Sequence, residues 1–320
     1  MKQMKKIRIS YFILLFFVGT FSLSPDLTRA DPFPPKVHRI VFIGNSITYG
    51  GTYITDIEAY FITHYPKKHF EFINVGLPSE TVSGLSEEGH AGGRFPRPDV
   101  HERLARVLAQ TKPDLVFVSY GMNDGIYLPF DEQRFQKFKQ GMLWLHDEVV
   151  KAGAQIIHLT PPVYDEIKGD NKGYAAVLDR YSEWLLSQVN TVQWKVADIH
   201  FPMKKFLEER RKADPSFAFA SDGVHPDELG HWIMAKQILL YLGEKNVAGA
   251  DNIQAAIVAH PNSEAIFKLV AQRQEIMKDA WLTATKHTRP EMNVGLPLAE
   301  AQAKSAEIEK QIRVLAKTKN

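Results

Sequence analysis

Short apolar runs alternate with stretches of helical spacing along most of the chain, and this alternation limits the fold more than any other feature. Val37 to Ile43 is a β-branched run closed by Gly44, followed by helical spacing over Thr52 to Tyr65. Phe70 to Val75 repeats the pattern and ends at Gly76. Helical spacing follows over Pro98 to Gln110. Asp114 to Ser119 is the clearest strand, between Pro113 and Gly121, and Asp131 to Ala152 is a long amphipathic helix. Gln155 to Thr160, Tyr174 to Val189 and Gln193 to Ile199 continue as strand, helix and strand. Pro226 to Leu242 reads as a helix with proline at its first position. Continuous apolar strands each followed by a helix predict a parallel sheet covered on both faces. In such sheets ligands bind outside the carboxyl ends of the strands. Chemistry is therefore expected just after residues 43, 75, 119, 160 and 199.

Beyond about residue 251 the pattern changes. Glu264 to Thr285 and Leu298 to Lys317 read as two helices with no strand between them. They are expected to form a helical extension over 251–320, packed on the sheet domain at 37–250, with its charges on a solvated face.

The N-terminus has a different character. Lys2 to Arg8 is basic, Tyr11 to Leu23 is apolar and uncharged, and Thr28-Arg29-Ala30 offers small residues for a cut. This is the layout of a secretory signal peptide, and the run is shorter than a spanning helix needs. Residues 1–30 are expected to be removed, with 31–36 as a proline-rich linker. The mature chain is then exported, to a periplasm or the exterior, without stable membrane insertion. Residues 1–30 carry five cationic side chains against Asp26, so a total charge of +2 leaves the rest slightly acidic. A mildly acidic body has no electrostatic footprint for nucleic acid. With no cysteine in the chain, disulfides, thiolate metal sites and cysteine nucleophiles are excluded.

Four segments at the expected edge carry chemistry. Gly44-Asn45-Ser46-Ile47-Thr48 places a serine where a helix begins, near the positive end of its dipole. The glycine permits a tight turn. Val75-Gly76-Leu77 offers a backbone N–H that a ligand can approach closely. Gly121-Met122-Asn123-Asp124 offers a side-chain amide at the same edge. Finally, Asp222 and His225 lie three residues apart on a loop entering a helix, close enough for carboxylate and imidazole to pair.

Serine, glycine, asparagine and Asp-x-x-His in this order resemble the SGNH hydrolases, also called GDSL esterases and lipases. The resemblance covers roughly residues 37–245. It implies a flavodoxin-like three-layer α/β/α fold with a mostly parallel five-stranded sheet. It implies a Ser46, Asp222, His225 catalytic set and an oxyanion hole of the Ser46 and Gly76 N–H groups with the Asn123 amide. No metal or cofactor is implied. Asn45 departs from the aspartate of the family motif. No Gly-x-Ser-x-Gly, His-Glu-x-x-His or phosphate-loop motif occurs. A metal set of Asp222, His225 and His231 is the weaker reading of those residues.

The substrate expected is an acylated small molecule or polysaccharide, and O-acetylated carbohydrate in particular, since no long apolar lid segment is present. Acyl transfer, hydrolysis of lipid or other small esters, and an inactive glycan-binding module are the alternatives. Gly84 to Arg97, with His90, Arg94 and Arg97, reads first as a plain surface loop and second as a rim of the cleft, and Tyr127, Tyr164 and Asp165 are second-reading sugar contacts in the same way. The sequence leaves the oligomeric state open.

Overall fold

The structure is a computed structural model that describes residues 32–317. The expected signal peptide lies outside the described residues. Five strands form one sheet: β1 (Arg39–Gly44), β2 (Glu71–Asn74), β3 (Leu115–Ser119), β4 (Gln155–Leu159) and β5 (Val196–Ala197). Their order is β2-β1-β3-β4-β5, and every pairing is parallel. This is the flavodoxin-like order, and the chain reverses its direction of travel between β1 and β3. Ser46 follows β1 and Asn123 follows β3, so the two segments flank that switch point.

The strands are apolar on both faces because helices cover both. Phe42 is fully buried in β1, stacked on Phe117 of β3 and on Phe72 of β2. Right-handed crossovers place α2 (Thr52–His64) on one face. The same rule puts α3 (Leu104–Thr111), α4 (Glu132–Lys151) and α5 (Tyr174–Thr191) on the other. The chain then forms α6 (His200–Ala213) and α7 (Glu228–Tyr241), and α7 packs against α2.

Four local features differ from the sequence expectation. The helix carrying Ser46, α1 (Ser46–Gly50), has only five residues. Gly51, left-handed at φ 71°, separates it from α2. A long helix dipole therefore does not stand behind the serine. The expected helix over Pro98 to Gln110 begins as a short 3-10 turn at Val100–Glu102, and only Leu104–Thr111 is α-helical. Asp227, not the proline before it, caps α7 by accepting from the Gly230 N–H at 2.9 Å. The fourth is α6, which the sequence reading did not anticipate. Its Pro202 sits in the first turn, where a missing N–H costs no helical bond.

After α8 (Ile253–Ile257), α9 (Ser263–Thr285) and α10 (Leu298–Ala316) pack side by side, and α9 lies on α2 and β2. Ile62 of α2 joins Ile266, Val270, Ile308 and Ile312 in a separate apolar cluster. The charges here are not all solvated. Arg273 and Gln274 of α9 both bond the buried Glu58 carboxylate of α2, at 2.6 and 2.7 Å. Arg273 also pairs with Glu309 of α10. None of the described helices is long and apolar enough to cross a membrane.

Candidate active site

Asn45 begins the site. It is almost fully buried, and its Oδ1 accepts the Ile47 N–H at 3.1 Å, capping α1. One amide oxygen does here what a carboxylate oxygen would do, so the departure from the family motif leaves the cap intact. Ser46, the first residue of α1, has its backbone N–H without a protein partner among the described residues.

The Ser46 hydroxyl meets His225 Nε2 at 2.8 Å. His225 Nδ1 meets Asp222 Oδ2 at 2.7 Å. The other oxygen of Asp222 accepts the Val224 and His225 N–H groups at 2.9 and 2.8 Å. The four residues Asp222 to His225 thus form a closed hydrogen-bonded ring that fixes carboxylate and imidazole together. Partial burial alone would raise the Asp222 pKa. The hydrogen bonds from the His225 ring and the two backbone N–H groups outweigh it and hold Asp222 below the usual carboxylate range. The imidazole therefore faces an ionised acceptor, which favours a proton on Nδ1 and leaves Nε2 able to accept from serine. About half of the His225 and Asp222 side-chain surface is exposed, so substrate reaches the ring directly.

Asn123 is almost fully buried. Its Oδ1 accepts the Tyr127 hydroxyl at 3.0 Å, and its Nδ2 donates to the Glu80 carbonyl at 3.1 Å. These two bonds orient the amide and leave its second N–H proton for a ligand. Tyr127 and the preceding Ile126 both have positive φ, 57° and 49°. Such backbone is costly for residues with a Cβ and gathers at functional sites.

Gly76 is placed differently from the expectation. Its N–H donates to Asn74 Oδ1 at 2.9 Å and is not open to a ligand. Its role is close packing: a Cβ would fall 2.4 Å from the Tyr49 backbone nitrogen. Among the described residues, the amide in this segment without a protein partner is that of Ser79. Leu77 to Glu80 form a turn closed by a 3.1 Å bond from the Glu80 N–H to the Leu77 carbonyl. Pro78 takes the second position and Ser79 the third, at φ 67°, where glycine is usual. The turn sits beside Asn123, which bonds the Glu80 carbonyl.

Three further residues, Asp124, Glu80 and Arg103, brace this edge, and the sequence reading did not assign them. Asp124 is fully buried. It accepts the Gly121 N–H at 2.7 Å and the Val82 and Ser83 N–H groups at 2.8 Å, tying the loop after β3 to the segment after β2. Its place beside Asn123 in a turn was the only local signal. Glu80 and Arg103 form a fully buried bidentate pair, with bonds of 2.6 and 2.7 Å, and the Tyr120 hydroxyl donates to the same carboxylate. These partners are far apart in sequence, and no local pattern joins them.

The candidate rim residues divide. Arg97 makes two bonds to Glu87 and lies over the Tyr127 ring, 5.2 Å from its centre. His90 also meets Glu87, and Arg94 pairs with Glu291 between α9 and α10. Asp165 is buried against Arg211 at 2.5 Å, and Tyr164 is nearly buried with its hydroxyl accepting the Asn171 N–H. Both Asp165 oxygens are thus engaged, by Arg211 and the Ile167 N–H, and offer no free group to a ligand. His231 does not join His225 in a ligand set. It is buried and stacked on Tyr53.

A profile of the GDSL-like lipase/acylhydrolase family matches residues 42–233. No curated protein sequence matches the chain. Among solved structures, a gut microbial diltiazem-metabolizing enzyme is 25% identical with a TM-score of 0.53. The match covers 66% of this chain and 48% of that one, so the chain spans about half of that enzyme's length. An acetylxylan esterase from Geobacillus stearothermophilus is 22% identical with a TM-score of 0.50, covering 64% of this chain and 94% of its own. An alpha/beta hydrolase from the metagenome of Lake Arreo, Spain, is 20% identical with a TM-score of 0.53, covering 67% and 99%. The last two show a shared fold. With the profile spanning more than half of its residues, the chain belongs to the GDSL-like lipase/acylhydrolase family and is a carboxylic ester hydrolase.

Proposed function

We propose that this protein is an exported serine esterase that removes O-acetyl groups from carbohydrates through an acyl-serine intermediate. The observation that carries the reading is the continuous hydrogen-bonded line from Ser46 through His225 to Asp222. Ser46 Oγ attacks the ester carbonyl while His225 Nε2 takes its proton. Asp222 holds the imidazole tautomer and stabilises the imidazolium. The developing oxyanion receives the Ser46 N–H, the free proton of Asn123 Nδ2 and the Ser79 N–H in place of Gly76. Donors fixed before the reaction need no reorganisation when charge develops. His225 then gives its proton to the departing alkoxide, leaving acyl-Ser46. A water molecule, deprotonated by His225, releases the acid and restores the serine.

The small acyl group and the carbohydrate alcohol rest on three supports. The catalytic ring is half exposed, so a bulky alcohol has room. The neighbouring loop over residues 84–97 is polar and held in place by Glu87 and Arg97. An acetylxylan esterase shares the fold. Export rests on the basic and apolar N-terminal sequence.

Acetate release from a panel of acetylated polysaccharides, with wild type beside Ser46→Ala, tests the reading. Release by wild type alone supports it and identifies the glycan. Equal release by both contradicts the serine mechanism. Activity confined to aryl or lipid esters contradicts the carbohydrate assignment.

A further inference from the structure

Asp56 of α2 is a buried acid with nothing to pair with. It is 2% exposed, its Oδ1 is wholly enclosed, and neither oxygen has a hydrogen-bond partner among the described residues. Buried carboxylates are costly unless paired and hydrogen-bonded, so this position calls for a donor. Burial, with Glu228 nearby, pushes its pKa up to about 8.

Asp56 lines a cavity of about 320 Å³ between α2, α7, α8 and α9. Glu228 and Asp251 line the same cavity, and neither forms an ion pair among the described residues. Lys236 of α7 is near Asp251, but its ammonium donates to the Ala250 carbonyl at 3.0 Å. Two aromatic side chains, Trp232 and Phe267, share the wall with apolar, hydroxyl and amide residues. The volume matches the lower range of small-molecule sites. No group of three or more histidine or acidic side chains among the described residues is arranged to hold a metal ion. Three carboxylates with aromatic walls, in a space larger than one ion, match an organic cation instead. An ammonium meets carboxylates through its N–H groups and aromatic faces through cation–π attraction.

We propose that the cavity lined by Asp56, Glu228, Asp251, Trp232 and Phe267 is a binding site for a small organic ammonium, separate from the ester site. It does not depend on the esterase reading. Glu228 lies three residues beyond His225 and Thr52 six beyond Ser46, so the cavity adjoins the elements that carry the catalytic ring.

The test is a titration of the full chain at about pH 9, where Asp56 is ionised and an alkylammonium keeps its charge, with cyclohexylammonium as the probe and cyclohexanol as its neutral match. Heat and Trp232-dependent fluorescence are the readouts. The expected result is saturable one-to-one binding of the ammonium and none of the alcohol. Asp56→Asn and Glu228→Gln should each weaken that binding by about tenfold, the size of one lost charged contact. Melting curves show whether Asp56→Asn folds. If it does not, Glu228→Gln on the exposed rim decides alone. Equal affinity for ammonium and alcohol, no saturable binding by wild type, or unchanged affinity in the folded variants overturns the proposal.

Discussion

The carboxyl edge of the sheet and the α9–α10 pair are built by opposite means. At the edge, Asp222 and His225 are half exposed and the backbone is strained. Ser79, Ile126 and Tyr127 all hold positive φ without being glycine. In the helical pair, apolar side chains interdigitate and the buried charges are paired, as in Glu58 with Arg273. Chemistry needs donors that water has not already satisfied and geometry that folding alone would not choose. Stability needs neither. The two regions still touch. The Tyr49 hydroxyl, on the helix that carries Ser46, donates to Asp279 of α9 at 2.8 Å, and Arg94 reaches Glu291. The helical pair thus acts as a brace behind the edge.

This contrast makes substitutions at the edge cost rate and those in the brace cost stability. The largest expected effect is at Asp222. Asp222→Asn leaves the imidazole in the wrong tautomer and should lower kcat by roughly 10⁴-fold, as in serine hydrolases of the same logic. A melting temperature within error of wild type should accompany it. Asn123→Ala removes one oxyanion donor and should lower kcat by about 10²–10³-fold with KM little changed. A loss confined to KM would place Asn123 in ground-state binding and break the contrast.

Arg273→Ala is the opposite case. It leaves Glu58 buried without its cation and should cost about 3–5 kcal/mol in denaturant unfolding. The kcat of the folded fraction should stay near wild type. A comparable loss of kcat would mean that the brace shapes the ring directly. Ser79→Gly sharpens the comparison from the other side. Relief of the left-handed strain should stabilise by about 1 kcal/mol, with activity kept because the N–H donor remains. A large activity loss would mean that the serine side chain itself acts in the site.

The smallest effect is a pH dependence. Burial, with the nearby His225 charge adding to it, pulls the His231 pKa down from 6.5 to about 4. Its folded form is lower than its unfolded form, so the unfolded state binds more protons between those values. The stability contribution is full above about pH 6.5 and is lost as pH falls toward 4. His231→Phe, which preserves the stack on Tyr53, should flatten the decline in melting temperature over that window. An unchanged decline would assign it to other groups.

The hydrogen-bonded line from Ser46 through His225 to Asp222 was legible because its signals are local. Asp222 and His225 are three residues apart, and Ser46 follows a strand whose apolar run ends at Gly44. The five strands were legible as buried runs, although β5 has only two paired residues of the longer stretch expected. The expectation of an open N–H at Gly76 fails because a glycine also marks close packing. Gly76 is there for close packing, and the left-handed position belongs to Ser79. The preceding Pro78, favoured at the second position of such turns, was the available clue. Helix α6 was missed because charged residues dominate it and it buries only His200, Met203 and Leu207. Glu80 with Arg103, and Glu58 with Arg273, were illegible because pairs at long range leave no periodic trace.

The most direct test of the account is to trap the covalent intermediate. The protein is mixed with an aryl acetate, quenched in acid during turnover, and its peptides are weighed. The account predicts one acetyl group on the peptide carrying Ser46, absent in Ser46→Ala, which also loses turnover. Turnover that persists in Ser46→Ala, or an acetyl group carried on another residue, would contradict it.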